Sequence, residues 1–372
     1  MGLEMIPVGE PSLGDEELNN VIEAMKSGWI SSIGRFIPEF EEGFAQYCGA
    51  EYGVATSNGT TALHLALTAF GIGEGDEVIV PTLTFVATAS AVKHTRAEPV
   101  LVDAHPDYWC IDPEKIEEAI TKKTRAIIPV HLYGHACDMD AIMSIARKHR
   151  LYVIEDAAEA HGSEYKGKKV GSFGDINCFS FYGNKLITTG EGGMCLTDDK
   201  ELAVKMKSLR DHGMNPDKRY WYDTIGFNYR MTNLQGAVGV AQLKKLDKFI
   251  ESKRDILRWY SEGLKDLVAK GLIRLQPQMP WVKYVCWMYS ILIEDSFGIN
   301  RDELMRELGE KGIDTRPFFY PLHIMPPYKI SKNFPTAEEL SKRGICLPSG
   351  VGLGKKNIMC ITDVIENLST KH

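Results

Sequence analysis

No C-x-x-C pair occurs anywhere in the sequence. Its eight cysteines (Cys48, Cys110, Cys137, Cys178, Cys195, Cys286, Cys346 and Cys360) are scattered through apolar segments. Zinc-ligand spacing is therefore missing and no metal site is expected; reduced, mostly buried thiols of a cytoplasmic protein are the expected state. No apolar run approaches the roughly 20 residues that span a bilayer, so no membrane association is expected. The opening stretch MGLEMIPVGEPSLGDEEL has no basic region followed by an apolar one, the pattern of a secretory leader. Position six is Ile where a myristoylation signal has Ser or Thr. Positive charge is in short supply: 43 Lys and Arg against 50 Asp and Glu leave a net charge of −7, which argues against nucleic acid as the main partner. The nucleotide motifs are broken. GIGEGDE (71–77) follows a helical pattern and lacks the third glycine of a dinucleotide loop, and GVGLGKK (350–356) is one residue short of a P-loop with Lys356 where Ser or Thr belongs. There is no internal repeat and no low-complexity tract.

What remains is ordinary globular composition, 44% hydrophobic and 25% charged over 372 residues, enough for a large core and more than one unit. Short apolar runs at 53–56, 77–81, 99–103, 126–132, 152–158, 178–183 and 193–197 read as buried strands. Between several of them lie helix-length segments at 59–70, 84–95, 113–121 and 138–149. Strands of this kind alternating with helices predict an α/β fold with a mostly parallel sheet covered on both faces. In such sheets ligands bind beyond the carboxyl ends of the strands. From about Gln235 the sequence turns into one long helical pattern. The remainder mixes a strand at 285–293 with a helix at 301–312. The expected division is a large α/β domain, residues 1–245, and a smaller C-terminal α+β domain, 246–372.

Three strand ends carry chemistry. After GVAT, Ser57-Asn58-Gly59 turns into a helix opening on Thr60-Thr61; such a helix start binds phosphate, or is simply capped by Asn58 or Thr60. In VIEDAAEA (153–160), Glu155 and Asp156 end a buried strand, where a carboxylate either meets a ligand or caps the next helix. In FSFYGNKLITTGEGG (179–193), Lys185 lies on a turn beyond a strand. A buried lysine has a lowered pKa and can bond covalently to an aldehyde, whereas an exposed loop lysine does neither. Taken together the three make the minimum kit for pyridoxal 5′-phosphate: a helix N-terminus for the phosphate, an anion for the pyridine nitrogen, a lysine for the aldehyde.

The stretches SNGTTALHLAL, GDEVIVPTLTFVATASAV, VHLYGHACDM, VIEDAAEAHGS, GSFGDINCFSFYGNKLITTGEGGM and GFNYRMTNLQGAVGVAQL occur in the order seen in the DegT/DnrJ/EryC1/StrS family of pyridoxal-phosphate-dependent nucleotide-sugar aminotransferases, which the chain resembles from about residue 6 to its C-terminus. The resemblance implies the aspartate aminotransferase fold (fold type I) and a homodimer with active sites at the subunit interface. It implies that Lys185 bonds to the cofactor, that Asp156 pairs with its ring nitrogen and that Phe85 stacks on the ring. Gly59, Thr60 and Ser180 match phosphate ligands, and Asn228 matches the asparagine that reaches the phosphate from the neighbouring subunit. Glu159 matches a position close to the ring.

Family members with histidine at the lysine position act as sugar dehydratases, so Lys185 favours transamination over dehydration. The run NKLITTGEGG resembles enzymes that aminate C4 of the sugar. WISSIGRFIPEFE (29–41) and RPFFYPLHIMPPY (316–328) resemble in particular members acting on GDP-linked 4-keto-6-deoxymannose, with a UDP- or dTDP-linked sugar as the alternative. By the same resemblance L-glutamate is the amino donor. A regulator that binds the cofactor without catalysis would need a DNA-binding module, and no basic helix-turn-helix pattern precedes residue 50. A diphosphate substrate needs local positive charge, for which Arg35, Lys218, Arg219, Arg230 and Arg316 are candidates against the plain reading of solvated surface charges. Trp29, Tyr220, Trp221 and Tyr320 are candidates to flank sugar or base, or else pack in the core. His323, in a proline-rich loop, is a candidate sugar contact.

Overall fold

The apolar runs become a seven-stranded sheet in a computed structural model that describes residues 5–369. Its spatial order is Tyr52–Thr56, Gly193–Thr197, Ile176–Ser180, Tyr152–Asp156, Thr124–Ile127, Glu77–Pro81, Glu98–Val102. Six strands run in parallel and only Gly193–Thr197 is antiparallel to its neighbours. The central strands Ile176–Ser180 and Gly193–Thr197 are buried along their whole length, which is why their sequences are apolar without alternation. Because the parallel strands share a direction, Thr56, Asp156 and Ser180 all end on one edge of the sheet.

Some expected elements end sooner. The strand expected over 126–132 stops at Ile127, and the chain then makes a tight turn over Leu132–Gly134 with Tyr133 in the left-handed region at φ 52°. The strand expected over 285–293 begins only at Tyr289; the residues before it are spent on other contacts, among them the bond from the Trp287 N–H to the Tyr133 carbonyl at 3.2 Å. The helix expected from residue 84 begins at Ala87.

The long helix runs from Asn233 to Gly263, opened by Thr232 and Gln235 in a reciprocal cap. Its 31 residues make it about 46 Å long. Residue 245 lies inside it. Leu246, Phe249 and Ile250 belong to the core around the large sheet, while Ile256 and Tyr260 belong to a second core. That second core covers an antiparallel four-stranded sheet of Ile273–Leu275, Tyr289–Ile293, Gly344–Leu347 and Arg316–Pro317. One rigid rod thus carries both cores. All eight cysteines are free thiols, with Cys360 alone exposed. Among the described residues no helix is long and apolar enough to cross a membrane, and no His/Cys/Asp/Glu group is placed to hold a metal.

Gly193 sits where the antiparallel strand slides under the turn at Asn58. A Cβ there would lie 2.3 Å from the Asn58 carbonyl oxygen, a rigid backbone atom. Gly193→Ala is expected to destabilise the fold by about 1–3 kcal/mol, seen as a lower midpoint in urea unfolding.

Candidate active site

Three residues at the sheet edge stand side by side. Thr56 pairs with Gly193, and Gly193 with Ser180. Just past Thr56, Asn58 caps the Gly59–Ala69 helix: its side chain accepts from the Thr61 N–H at 2.9 Å, and the Thr61 hydroxyl accepts from the Asn58 N–H at 3.1 Å. The cap is therefore built with Thr61, and among the described residues no protein acceptor takes the N–H of Gly59 or Thr60. A Cβ on Gly59 would come within 2.8 Å of the Ser180 Cβ, so glycine is what lets the helix end settle against Ser180. The Ser180 Oγ accepts from the Tyr182 N–H at 3.4 Å, which leaves its own proton free to donate. Two free N–H groups, a hydroxyl and the positive end of a helix form a cradle for an anion.

Asp156 ends the adjacent strand, in register with Cys178. It is buried, and burial raises its pKa above the ordinary aspartate range. The Thr88 hydroxyl at 2.8 Å and the Ala158 N–H at 3.3 Å partly offset this, as does the charge of Lys185. Thr88 in turn accepts from Thr84 at 3.0 Å, since its single proton goes to Asp156. Its neighbour Glu155 has a different fate. Burial opposes its charge too, yet His131 at 2.8 Å and the N–H groups of Gly171 and Gly174 hold it below the ordinary range. The His131 Nδ1 accepts from the Cys137 N–H, so its Nε2 carries the proton given to Glu155. Glu155 accepts from His131 and from three backbone N–H groups, whereas Asp156 accepts only from one hydroxyl and one long backbone N–H. Phe85, one turn before Thr88, remains half-exposed with Phe319 as its ring neighbour at 5.8 Å.

Lys185 is nearly buried. Its Nζ lies 4.0 Å from the Glu159 Oε1 and 3.7 Å from the centre of the Trp287 ring. Burial pulls its pKa below the ordinary lysine range, against the opposing pull of Glu159 and Asp156. Glu159 is buried as well, and burial pushes its carboxyl up to about 7 despite Lys185 and the Tyr133 N–H, which donates to its Oε2 at 2.8 Å. Lysine and glutamate thus each exchange protons closer to neutrality than either would in water.

The structure brings Gly59, Ser180, Asp156, Glu159 and Lys185 together in one chain. Asn228 stands on a different segment: its side chain accepts from Arg230 at 3.0 Å, and Arg230 also pairs with Asp211 at 2.8 Å. Trp29 and Tyr320 are solvent-exposed, and the Trp29 carbonyl accepts from Asn233. Arg35 is engaged by Glu23 and Glu39, and Arg316 by Asp314. Lys218 and Arg219 lie over the exposed rings of Trp221 and Tyr220. His323 does not fit its expected role. It is buried beside Phe334, with Nδ1 bonded to Thr82 at 2.9 Å and Nε2 to Glu338 at 3.1 Å, so neither ring nitrogen is left for a sugar. Sequence reasoning missed Thr88, Tyr133 and Trp287. Only Thr88 left a trace, as the second of two threonines one helical turn apart.

These residues suit pyridoxal phosphate: a buried amine, a buried carboxylate with no cation of its own fixed to it, and an anion cradle formed where glycine permits close approach. The DegT/DnrJ/EryC1/StrS aminotransferase family model matches residues 11–368. The chain belongs to this family. It is a pyridoxal-phosphate-dependent aminotransferase with the family's fold. It is 49% identical to the GDP-perosamine synthase of Caulobacter vibrioides, covering 96% of each chain. It is 48% identical to the GDP-perosamine synthase of Escherichia coli O157:H7, covering 98% of each. The solved structure of Streptococcus pneumoniae Spr1654 in its PLP form superposes with a TM-score of 0.93 at 29% identity, covering 99% of each chain.

Asp156→Asn separates the two demands on this position. The folded-state pKa of Asp156 is raised, so its penalty on folding builds up as the pH rises from the ordinary aspartate pKa to the raised one and is complete above it. The variant without cofactor is therefore expected to unfold at higher urea than wild type at pH 7.5, with the gain shrinking as the pH falls, while its transamination rate drops about 100-fold or more. Thr88→Val should weaken cofactor binding about 10–100-fold, the value of one hydrogen bond to a charged group, read by fluorescence titration of the cofactor.

Proposed function

We propose that this aminotransferase moves the amino group of L-glutamate to C4 of GDP-4-keto-6-deoxy-D-mannose, giving GDP-perosamine. The observation that carries the chemistry is the nearly buried Lys185 amine, 4.0 Å from Glu159, on the same sheet edge as Asp156 and the Ser180–Gly59 cradle. The choice of sugar is supported by similarity to the GDP-perosamine synthases of C. vibrioides and E. coli O157:H7.

Bound at this edge, the cofactor supplies a sink for the electron pair left when the donor's α-proton departs. Gly59, Thr60 and Ser180 would hold its phosphate. Phe85 would cover its ring, and Asp156 would present an anionic oxygen to the ring N–H. Lys185 would hold the aldehyde carbon. The freed lysine stays in a buried pocket that favours its neutral form, so it can take the α-proton and deliver it elsewhere. Glu159 is the neighbouring group able to exchange a proton with it, and the Tyr133 N–H fixes its other oxygen. The same groups working in reverse on the sugar ketone complete the transfer.

The larger unit carries the cofactor side and extends along the long helix to about Ile250, past the expected boundary at 245, and the smaller core begins at Ile256. The enzyme works as a homodimer, with Asn228 completing the phosphate site of the neighbouring subunit. The outer face of the Asp15–Ser27 helix and the loop after it support this: Leu18, Ile22, Met25, Trp29, Ile30 and Ile33 are all exposed, an apolar stripe that water alone does not favour. The sugar nucleotide meets Trp29, Arg219, Arg230, Arg316 and Tyr320, where two or three arginines suit a diphosphate.

The test supplies glutamate with GDP-, UDP- or dTDP-linked 4-keto-6-deoxy sugars and identifies products by mass and NMR. The GDP substrate should yield a 4-amino sugar and 2-oxoglutarate. Lys185→Ala should lower the rate about 1,000-fold or more, and borohydride should fix the cofactor to Lys185 in wild type alone. A Lys185→Ala enzyme working at the wild-type rate would refute the assignment.

A further inference from the structure

Trp287 touches Lys185 directly and reaches Glu159 through Tyr133. It comes from the C-terminal part of the chain, just before the strand Tyr289–Ile293, and it is buried. Its ring lies under the Lys185 ammonium at 3.7 Å. Its indole N–H donates at 2.8 Å to the carbonyl of Asn184, which fixes the turn that carries Lys185. Its backbone N–H donates at 3.2 Å to the carbonyl of Tyr133, the residue whose own N–H holds Glu159. The Trp287 carbonyl accepts from the Lys253 Nζ at 2.7 Å, and the same ammonium reaches the Ser349 carbonyl at 2.5 Å. Lys253 is buried and has no carboxylate partner among the described residues, so two carbonyls and the long helix hold it, and it in turn holds Trp287.

We propose that Trp287 is a positioning residue for Lys185: its indole face is the seat on which the free ammonium rests whenever the lysine is not bonded to the cofactor. The proposal rests on the cofactor chemistry read above but not on the identity of the sugar. Every other group facing the lysine is accounted for. Glu159 lies at the edge of ion-pair distance, and Asp156 belongs to the ring nitrogen. His161 stays neutral, since burial and the nearby Lys185 push its pKa down to about 3. Lys253 lies behind Trp287, and Glu10 lines the same cavity near the surface. Of these contacts the indole face is the one that favours the ammonium without taking its proton. It holds the amine near Glu159 in the protonated state, and proton loss releases it toward the cofactor. A desolvated cation over an indole face is stabilised by an amount that corresponds to a shift of about one pH unit.

The test uses the full-length enzyme reconstituted with pyridoxamine phosphate, in which Lys185 is not bonded to the cofactor. Trace acetylation across pH, read by mass spectrometry of the Lys185 peptide, gives the midpoint for its deprotonation. Trp287→Leu should lower that midpoint by about one pH unit and Trp287→Phe, with a weaker ring, by about half as much. Surface lysines in the same digests should not move. If Trp287→Leu does not fold, Trp287→Phe decides alone. A midpoint equal to wild type in the variants that fold overturns the proposal. Amination of the GDP sugar is measured separately on wild type, so a wrong substrate and a wrong role for Trp287 give different results.

Discussion

Burial of more negative than positive charge is the constraint around which this site is built. Two carboxylates, Asp156 and Glu159, share one amine, Lys185, in a region closed to water. If all three were ionised the cluster would be one cation short, and low-dielectric surroundings do not tolerate an unpaired charge. The pKa directions express this shortage: both acids are raised and the amine is lowered. The contrast with Glu155 is informative. One residue earlier on the same strand, that acid receives a histidine N–H and several backbone N–H groups and is held ionised. A position given only a threonine hydroxyl and one long backbone contact is left for a cationic ligand. A protonated pyridine nitrogen would supply the missing charge.

The backbone is bent to keep that arrangement. Tyr133 adopts φ 52°, ψ 19°, a conformation that side chains with a Cβ avoid, and Gly134 follows at φ 98° with the Val285 carbonyl 2.1 Å from where its Cβ would be. Such strain costs about 1–3 kcal/mol and persists only where surrounding contacts over-determine it. Here they do. The Tyr133 N–H is taken by Glu159, its carbonyl by Trp287 and Tyr284, and its hydroxyl accepts from the Phe319 N–H at 3.0 Å. One residue thus locks the acid next to Lys185 to the C-terminal part of the chain.

How much of this could be read in the sequence follows from the range of the forces involved. The strands at 77–81 and 193–197 and the helix from residue 59 match their patterns because buried parallel strands demand apolar runs and Asn58 is a strong cap. Lys185, Asp156 and Ser180 are legible as candidates because each lies at or just beyond a strand end, which topology makes a binding edge. The early stop at Ile127 was not legible, since nothing local marks Tyr133 for the left-handed region; its reason is a hydrogen bond to Glu159, twenty-six residues on. Trp287 left no signal for the same reason, its role being fixed by Asn184 and Lys253, far away in sequence. His323 misled in the other direction: a loop histidine near prolines suggests binding, yet Thr82 and Glu338 claim both nitrogens.

The two halves of the site are built on different principles. Where the ring nitrogen and aldehyde belong, Asp156 and Glu159 are buried, Lys185 is nearly so, and each is held by a named partner, as suits a cofactor that stays. The residues expected to meet the sugar nucleotide are exposed, with Trp29 55% and Tyr320 53% open to solvent. Their nearby charges are occupied for now by acids that a diphosphate can displace, such as Asp314 beside Arg316. A substrate that must enter and leave cannot be met by a closed cavity without a large rearrangement, so an open, aromatic-rimmed approach to a rigid floor is the cheaper design. The floor is rigid because Trp287 and Lys253 tie it to the long helix, so the open side can vary with the sugar while the chemistry beneath it does not.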